Sequence, residues 1–285
     1  MIAKAGIPRI SWNVLVFLLL AGTLGAQTTT TLSDYQPSIG QHGKDVVWVP
    51  TNQSLVTKML DLAKVTDKDY LIDLGSGDGR TVISAAKRGA RALGIEYNIN
   101  MVELSKKSAL KEGVSDRARF EKADLFESDF SQATVITMFL LPDINLKLRP
   151  KILELKPGTR IVSNTFTMGE WEADETAGGA GEDSDEAYGS YNTALLWIVP
   201  AKVEGSWTTT DGVLQLTQKY QVVEGTWKNG TRAAAIIKGK LRGDQITFTA
   251  GTTEYTAQVN GSKMQGQAKS IGGSAPWTAS RAPAR

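Results

Sequence analysis

The sequence predicts an α/β domain, a sheet with helices on both faces, joined to a small C-terminal all-β meander or barrel. Three observations carry this. The apolar run Leu71-Ile72-Asp73-Leu74 enters the glycine turn Gly75-Ser76-Gly77-Asp78-Gly79, and a helix-periodic segment follows at once. Strand-like and helix-like patterns then alternate over residues 70–164, the order that builds a parallel sheet covered on both sides. From Lys202 onward, short two-residue alternations are separated by turn signals, which is the pattern of antiparallel β-structure.

In chain order, residues 1–26 read as an export signal. Lys4 and Arg9 give a basic start, residues 12–24 are largely apolar, and Leu24-Gly25-Ala26 offers a small-residue cleavage site before Gln27. The apolar part is short against the roughly 20 residues of a spanning helix, so an uncleaved anchor is the alternative. The expected location is therefore exported, periplasmic or membrane-associated, or else the cytoplasmic face behind an anchor. Lys4 and Arg9 account for the formal +2 of the whole chain, so its basic balance does not indicate nucleic acid binding. Residues 27–44 are polar and read as a linker.

Residues 45–200 form the predicted α/β domain. A short extended segment ends at Pro50, and Val56, Met59, Leu60 and Ala63 then recur with helical spacing. Ala92-Leu93-Gly94-Ile95-Glu96 is a second strand, and Met101, Leu104, Ala109 and Leu110 suggest the helix after it. Residues 119–125 form a strand leading into Ala123-Asp124-Leu125, and residues 133–141 are apolar enough for a central parallel strand. A helix over 146–155 stops at Lys156-Pro157-Gly158-Thr159, and the next strand begins at Arg160. Residues 170–190 carry eight acids among glycines. They are expected to be a solvated, mobile loop, with contact to a basic substrate as the functional alternative. Residues 193–199 read as an antiparallel edge strand.

Residues 201–285 form the predicted β-domain. Val203-Glu204-Gly205-Ser206-Trp207 recurs as Val223-Glu224-Gly225-Thr226-Trp227, and its tryptophans are expected to fill a core. From residue 202 on, eleven Lys or Arg stand against five acids, the composition of a wet basic face, with envelope contact as a candidate role. Elsewhere the composition excludes chemistry. There is no cysteine, so disulfides, thiolate metal sites and a Cys nucleophile are excluded. His42 is the single histidine, which removes His-clustered metal sites and Ser-His-Asp catalysis. It is expected to be a solvated residue, with contact at the mouth of a site as its functional reading.

The candidate site lies in the first three strand ends. The turn is spaced G-x-G-x-G, which matches neither a dinucleotide fingerprint nor a P-loop. Glu96 follows the turn by about twenty residues, a placement suited to accepting hydrogen bonds from ribose hydroxyls. With Asp73 and Asp124 it makes three acids at successive strand ends.

This set resembles motif I and its partners in the class I S-adenosylmethionine-dependent methyltransferases, which have a Rossmann-like sheet. The resemblance implies S-adenosylmethionine as cofactor. Asp73 would lie near its amino group, Gly75 and Gly77 beneath it, Glu96 at the ribose, Asp124 at the adenine amino group and Leu125 on the ring. Val49-Pro50-Thr51, residues 73–80 and Phe139-Leu140-Leu141-Pro142 are further similar to the small lysine methyltransferases. Eukaryotic members of that group modify the c-ring protein of mitochondrial ATP synthase and the adenine nucleotide translocase. The similarity spans residues 45–200 and leaves the β-domain outside. It implies that Thr51 contacts the methionine end, and that Phe139, Leu141 and Pro142 wall the methyl-transfer channel; core packing followed by helix entry is the alternative for residues 139–142. Phe139 stands where those relatives usually carry Tyr, which takes a hydroxyl away from that position. A protein lysine is the favoured acceptor and a small molecule the alternative; no nucleic acid and no metal are expected. An exported binding module with a degenerate domain is the rival of a different class, since S-adenosylmethionine is made in the cytosol.

Overall fold

In the computed structural model the described residues are Met1, 35–178 and 191–281. The predicted leader, the linker as far as residue 34 and residues 179–190 of the acidic stretch lie outside them. Helix α1 (Gln53–Leu62) leads into strand β1 (Tyr70–Leu74), followed by α2 (Arg80–Lys87), β2 (Arg91–Glu96), α3 (Ile99–Lys111) and β3 (Ala118–Lys122). Then come β4 (Val135–Met138), α4 (Pro142–Ile152), β5 (Arg160–Asn164), β6 (Glu175–Gly178) and β7 (Thr193–Ile198). Side-chain caps start two of the helices: Asn52 accepts from the Ser54 N–H before α1, and Asn98 from the Asn100 N–H before α3.

The seven strands order as β3-β2-β1-β4-β5-β7-β6. The first five run parallel, and β7 lies antiparallel to both β5 and β6. The direction in which strands are added reverses between β1 and β4, the crevice where such sheets bind ligands. Alternation along β1 decides the two faces. Leu71 packs with Val56, Leu60 and Val82 from α1 and α2, whereas its neighbour Ile72 packs with Leu148 and Ile152 from α4.

Two expectations are corrected here. The 193–199 segment is antiparallel but interior, and β6 forms the edge instead. The first part of the acidic stretch is structure rather than a solvated loop. Its anchor is Trp171, fully buried and bracketed by Trp197 and Tyr220 at 6.3 and 5.9 Å between ring centroids. Asp174 then accepts the Ile198 N–H at 2.9 Å, which starts β6 on β7.

The β-domain is a closed barrel of β8 (Gly205–Thr209), β9 (Gly212–Lys219), β10 (Val222–Asn229), β11 (Arg232–Arg242), β12 (Gln245–Ala250), β13 (Thr253–Asn260), β14 (Lys263–Ser270) and β15 (Gly273–Ser280). The repeated pentapeptide sits on both sides of β9. Gly205 and Gly225 both face Leu216, and Trp207 and Trp227 both face Leu214. Trp207 and Trp277 fill the interior with Leu214, Phe248 and Tyr255. Closure rests on two residue pairs between β15 and β8. Arg281 reinforces it, donating to the Glu204 and Lys202 carbonyls at 2.7 Å each and covering the Trp207 ring.

Four basic residues of the β-domain have partners in the α/β domain. Lys202 pairs with Glu154, Lys219 with Glu170, Lys240 with Asp174 and Arg242 with Glu175. Gln221 also donates to the Glu172 carbonyl at 2.9 Å. Among the described residues no helix is long and apolar enough to cross a membrane.

Candidate functional site at the sheet's switch point

The glycine turn after β1 requires glycine for two reasons. Gly77 and Gly79 adopt φ of +54° and +80°, where side chains are strained. A Cβ on Gly77 would also stand 2.6 Å from Trp48 Nε1, and one on Gly79 would stand 2.7 Å from Phe120 and Ser105. The turn therefore closes against a helix on one side and a strap on the other. The strap is the chain over residues 40–48. It is held by Gly40 N–H to the Trp48 carbonyl at 2.8 Å and Trp48 N–H to the Gln41 carbonyl at 2.9 Å.

Between the turn and the strap lies one cavity. Thr51, Asp73, Gly75, Gly77, Glu96, Asp124, Leu125, Phe139 and Leu141 all line it. Pro142 does not. It is the first residue of α4, where a fixed φ and a missing N–H suit a helix start. Of its two expected roles, channel wall and helix entry, the structure supports the second. His42 is exposed at the cavity mouth, and Gln41 to Lys44 of the predicted linker line it too.

Each acid is held differently. Asp73 is buried and accepts the Thr137 hydroxyl of β4 at 2.6 Å. Burial pushes its carboxyl up to about 7; the Thr137 bond opposes this, and the charges of Asp78 and Glu96 add to it. Glu96 has both oxygens fixed by main chain, Oε2 by Gly77 N–H at 2.9 Å and Oε1 by Asn98 N–H at 2.8 Å. Asp124 pairs with Lys44 of the strap, which also lies 5.0 Å from the Tyr97 ring. That pair holds the Asp124 carboxyl below its usual range and the Lys44 ammonium above its own. Thr51 is positioned from two sides. Arg80, forked onto Asp78, donates to its carbonyl at 2.8 Å, and Asn164 donates to its hydroxyl at 3.2 Å.

Sequence reasoning missed the strap residues Lys44 and Trp48, and the rings of Phe166 and Tyr191. The last two line the cavity with Phe139. Phe166 follows the end of β5 as Phe139 follows β4, and that shared position is the signal that could have found it. Tyr191 stands outside any periodic pattern. These residues fit S-adenosylmethionine. A buried carboxylate with one hydrogen bond suits a cationic group, and the Ser76 hydroxyl is buried with no partner among the described residues. The remaining carboxylates accept from hydroxyl or amine donors.

Known proteins match this chain. A family model described as the ANTKMT methyltransferase domain covers residues 73–175. A protein-lysine N-methyltransferase of Saccharolobus islandicus (strain REY15A) is 45% identical over 133 residues, 46% of this chain and 83% of that protein. The Homo sapiens lysine N-methyltransferase named for the C subunit of ATP synthase is 34% identical over 182 residues, 63% of this chain and 76% of that one. Among solved structures, an RNA methyltransferase from Salinibacter ruber in complex with S-adenosyl-L-homocysteine is 44% identical. It covers 54% of this chain and 96% of its own, with a TM-score of 0.50.

Proposed function

The chain belongs to the class I S-adenosylmethionine-dependent methyltransferases, in the protein-lysine N-methyltransferase family, and from that premise we propose that it methylates the side-chain amine of a protein lysine at the switch-point cavity. The observation that supports this most is the convergence of Asp73, Glu96 and Asp124, from the ends of three strands, on one cavity that also carries aromatic rings.

In this reading Asp73 holds the positive methionine end and Thr51 lines it, fixed by Arg80 and Asn164. Glu96, already oriented by two main-chain N–H groups, uses its remaining lone pairs on the ribose. Asp124 and Leu125 take the adenine, for which Lys44 shares or yields the carboxylate. The cofactor supplies a methyl group on a sulfonium leaving group. The chain's own work is alignment and exclusion of water, with Trp48 and the strap covering the glycine turn. A lysine amine must arrive neutral, and desolvation among apolar walls lowers its pKa in that direction. Export rests on the leader pattern alone and is proposed on that basis; amino-terminal sequencing of the chain recovered from cell fractions would test it.

The deciding experiment supplies labelled S-adenosylmethionine and the full chain to cell extract, then separates protein from RNA. Label in protein that hydrolyses to methylated lysine is the expected outcome, and its loss with Asp73→Asn ties it to this site. Label that ribonuclease removes would overturn the lysine acceptor in favour of RNA.

A further inference from the structure

Three rings meet at one wall of the cavity, brought there from three separate places. Phe139 follows β4, Phe166 follows β5, and Tyr191 precedes β7. Their centroids form a triangle with sides of 5.9 Å (Phe139–Phe166), 5.3 Å (Phe139–Tyr191) and 5.7 Å (Phe166–Tyr191). A cation resting on the open face of that triangle lies within about 6 Å of all three rings, the range of a cation–π contact.

The backbone beneath Phe166 is strained to keep it there. Thr165 adopts φ of +62°, a genuine outlier for a β-branched residue. Its N–H bonds the Thr193 carbonyl at 2.7 Å, and its hydroxyl bonds Asn164 Oδ1 at 2.9 Å. Strain held by surrounding bonds is characteristic of functional positions, and here it ties the turn after β5 to β7, beside Tyr191.

We propose that Phe139, Phe166 and Tyr191 form an ammonium-binding subsite that receives the acceptor nitrogen, with Tyr191 as its specificity-determining ring. This rests on the lysine reading, and the chemistry explains why rings suit the place. As the amine lone pair forms the new N–C bond, the C–S electron pair returns to sulfur. Positive charge grows on nitrogen until a proton leaves to solvent. Ring faces stabilise that charge without fixing an N–H, so the subsite also binds a fully substituted ammonium. The cavity's carboxylates are engaged elsewhere: Asp73 with Thr137, Glu96 with Gly77 and Asn98, Asp78 with Arg80, and Asp124 and Asp45 with Lys44.

The test needs no turnover. Choline and its uncharged carbon isostere, 3,3-dimethylbutan-1-ol, are titrated calorimetrically into the full chain saturated with S-adenosylhomocysteine. Choline is expected to bind about tenfold tighter. Tyr191→Ala and Phe166→Ala, each shown folded by circular dichroism, should remove most of that preference, while Tyr191→Phe should keep it. Equal affinity for the two probes, or an unchanged preference in Tyr191→Ala, overturns the subsite. A choline preference without any methylated lysine in extract would instead leave the subsite standing and reject the acceptor.

Discussion

The two domains differ in the kind of polar group they bury without support: in the barrel it is the indole N–H of Trp227 and of Trp277, which have no partner among the described residues, and not a carboxylate. Its Thr209 bonds the Gly212 carbonyl and its Gln221 the Glu172 carbonyl, and four of its basic residues meet acids across the interface. In the α/β domain Asp73 is buried with one hydroxyl for company and Ser76 with no partner among the described residues. A buried carboxylate with so little support destabilises a fold. It is tolerated where a cationic ligand completes it, so the difference locates chemistry in the first domain and support in the second.

The largest test of that contrast is Asp73→Asn. Removing a buried charge that pairs with a ligand costs about 2–5 kcal/mol of binding, so affinity for S-adenosylmethionine should fall at least about thirtyfold in a calorimetric titration. Stability should move the other way. The folded pKa of about 7 lies above the unfolded value of 3.8, so this group's contribution is fullest below the lower value. It is lost as pH rises through the window between them. At pH 8 the variant should therefore melt no lower than the parent. A destabilised variant with normal affinity would make Asp73 a structural residue.

Trp171→Ala comes next, at about 3–5 kcal/mol for a fully buried indole. Because the ring stacks on Tyr220 of the barrel and packs on Trp197 of the sheet, denaturant unfolding should show the two domains losing their common transition. Loss confined to one domain would mean that the barrel is merely tethered. Arg281→Ala is expected to remove about 2 kcal/mol from the barrel alone, since both carbonyls it holds flank the β8 seam. Cofactor affinity should stay as it was.

A smaller effect follows from the same carboxyl. Binding a cation requires Asp73 charged, so affinity should rise with pH, by up to about tenfold per unit below the apo value of about 7. The window from pH 5.5 to 7.5 keeps clear of most of the ligand's own amine titration, near 7.7–8.0 for an α-amino group. Asp73→Asn should flatten the profile.

How much of this was legible in the chain follows from the range of each interaction. Asp73 and Glu96 were readable because each stands at the end of an apolar run, and Asp124 because a strand-like segment leads into Ala123-Asp124-Leu125; a parallel sheet brings such ends together. The barrel was readable from alternation and turns. The edge strand β6 was not, because its stability comes from Trp171 and from Asp174 meeting Ile198 across 24 residues, and local composition shows only acids. The Lys44–Asp124 pair joins residues 80 apart, and Tyr191 meets the rings of Phe139 and Phe166 from a distant part of the chain. Contacts of that range leave no periodic trace.

The weakest expected effect bears most directly on what the barrel's charge is for. Arg242 and Glu175 are 41% and 40% exposed, and such pairs contribute roughly 0.2–1 kcal/mol. Arg242→Glu alone sets two carboxylates together and should lower stability by about that amount. Adding Glu175→Arg restores the pair and should recover it. The loss should shrink near 1 M salt, where the screening length is about 3 Å. Recovery in the double variant would assign the barrel's basic excess to docking on the acidic segment of its own chain. If both variants match the parent at low salt, the ion pairs carry nothing, and that excess becomes available for an external surface such as the envelope.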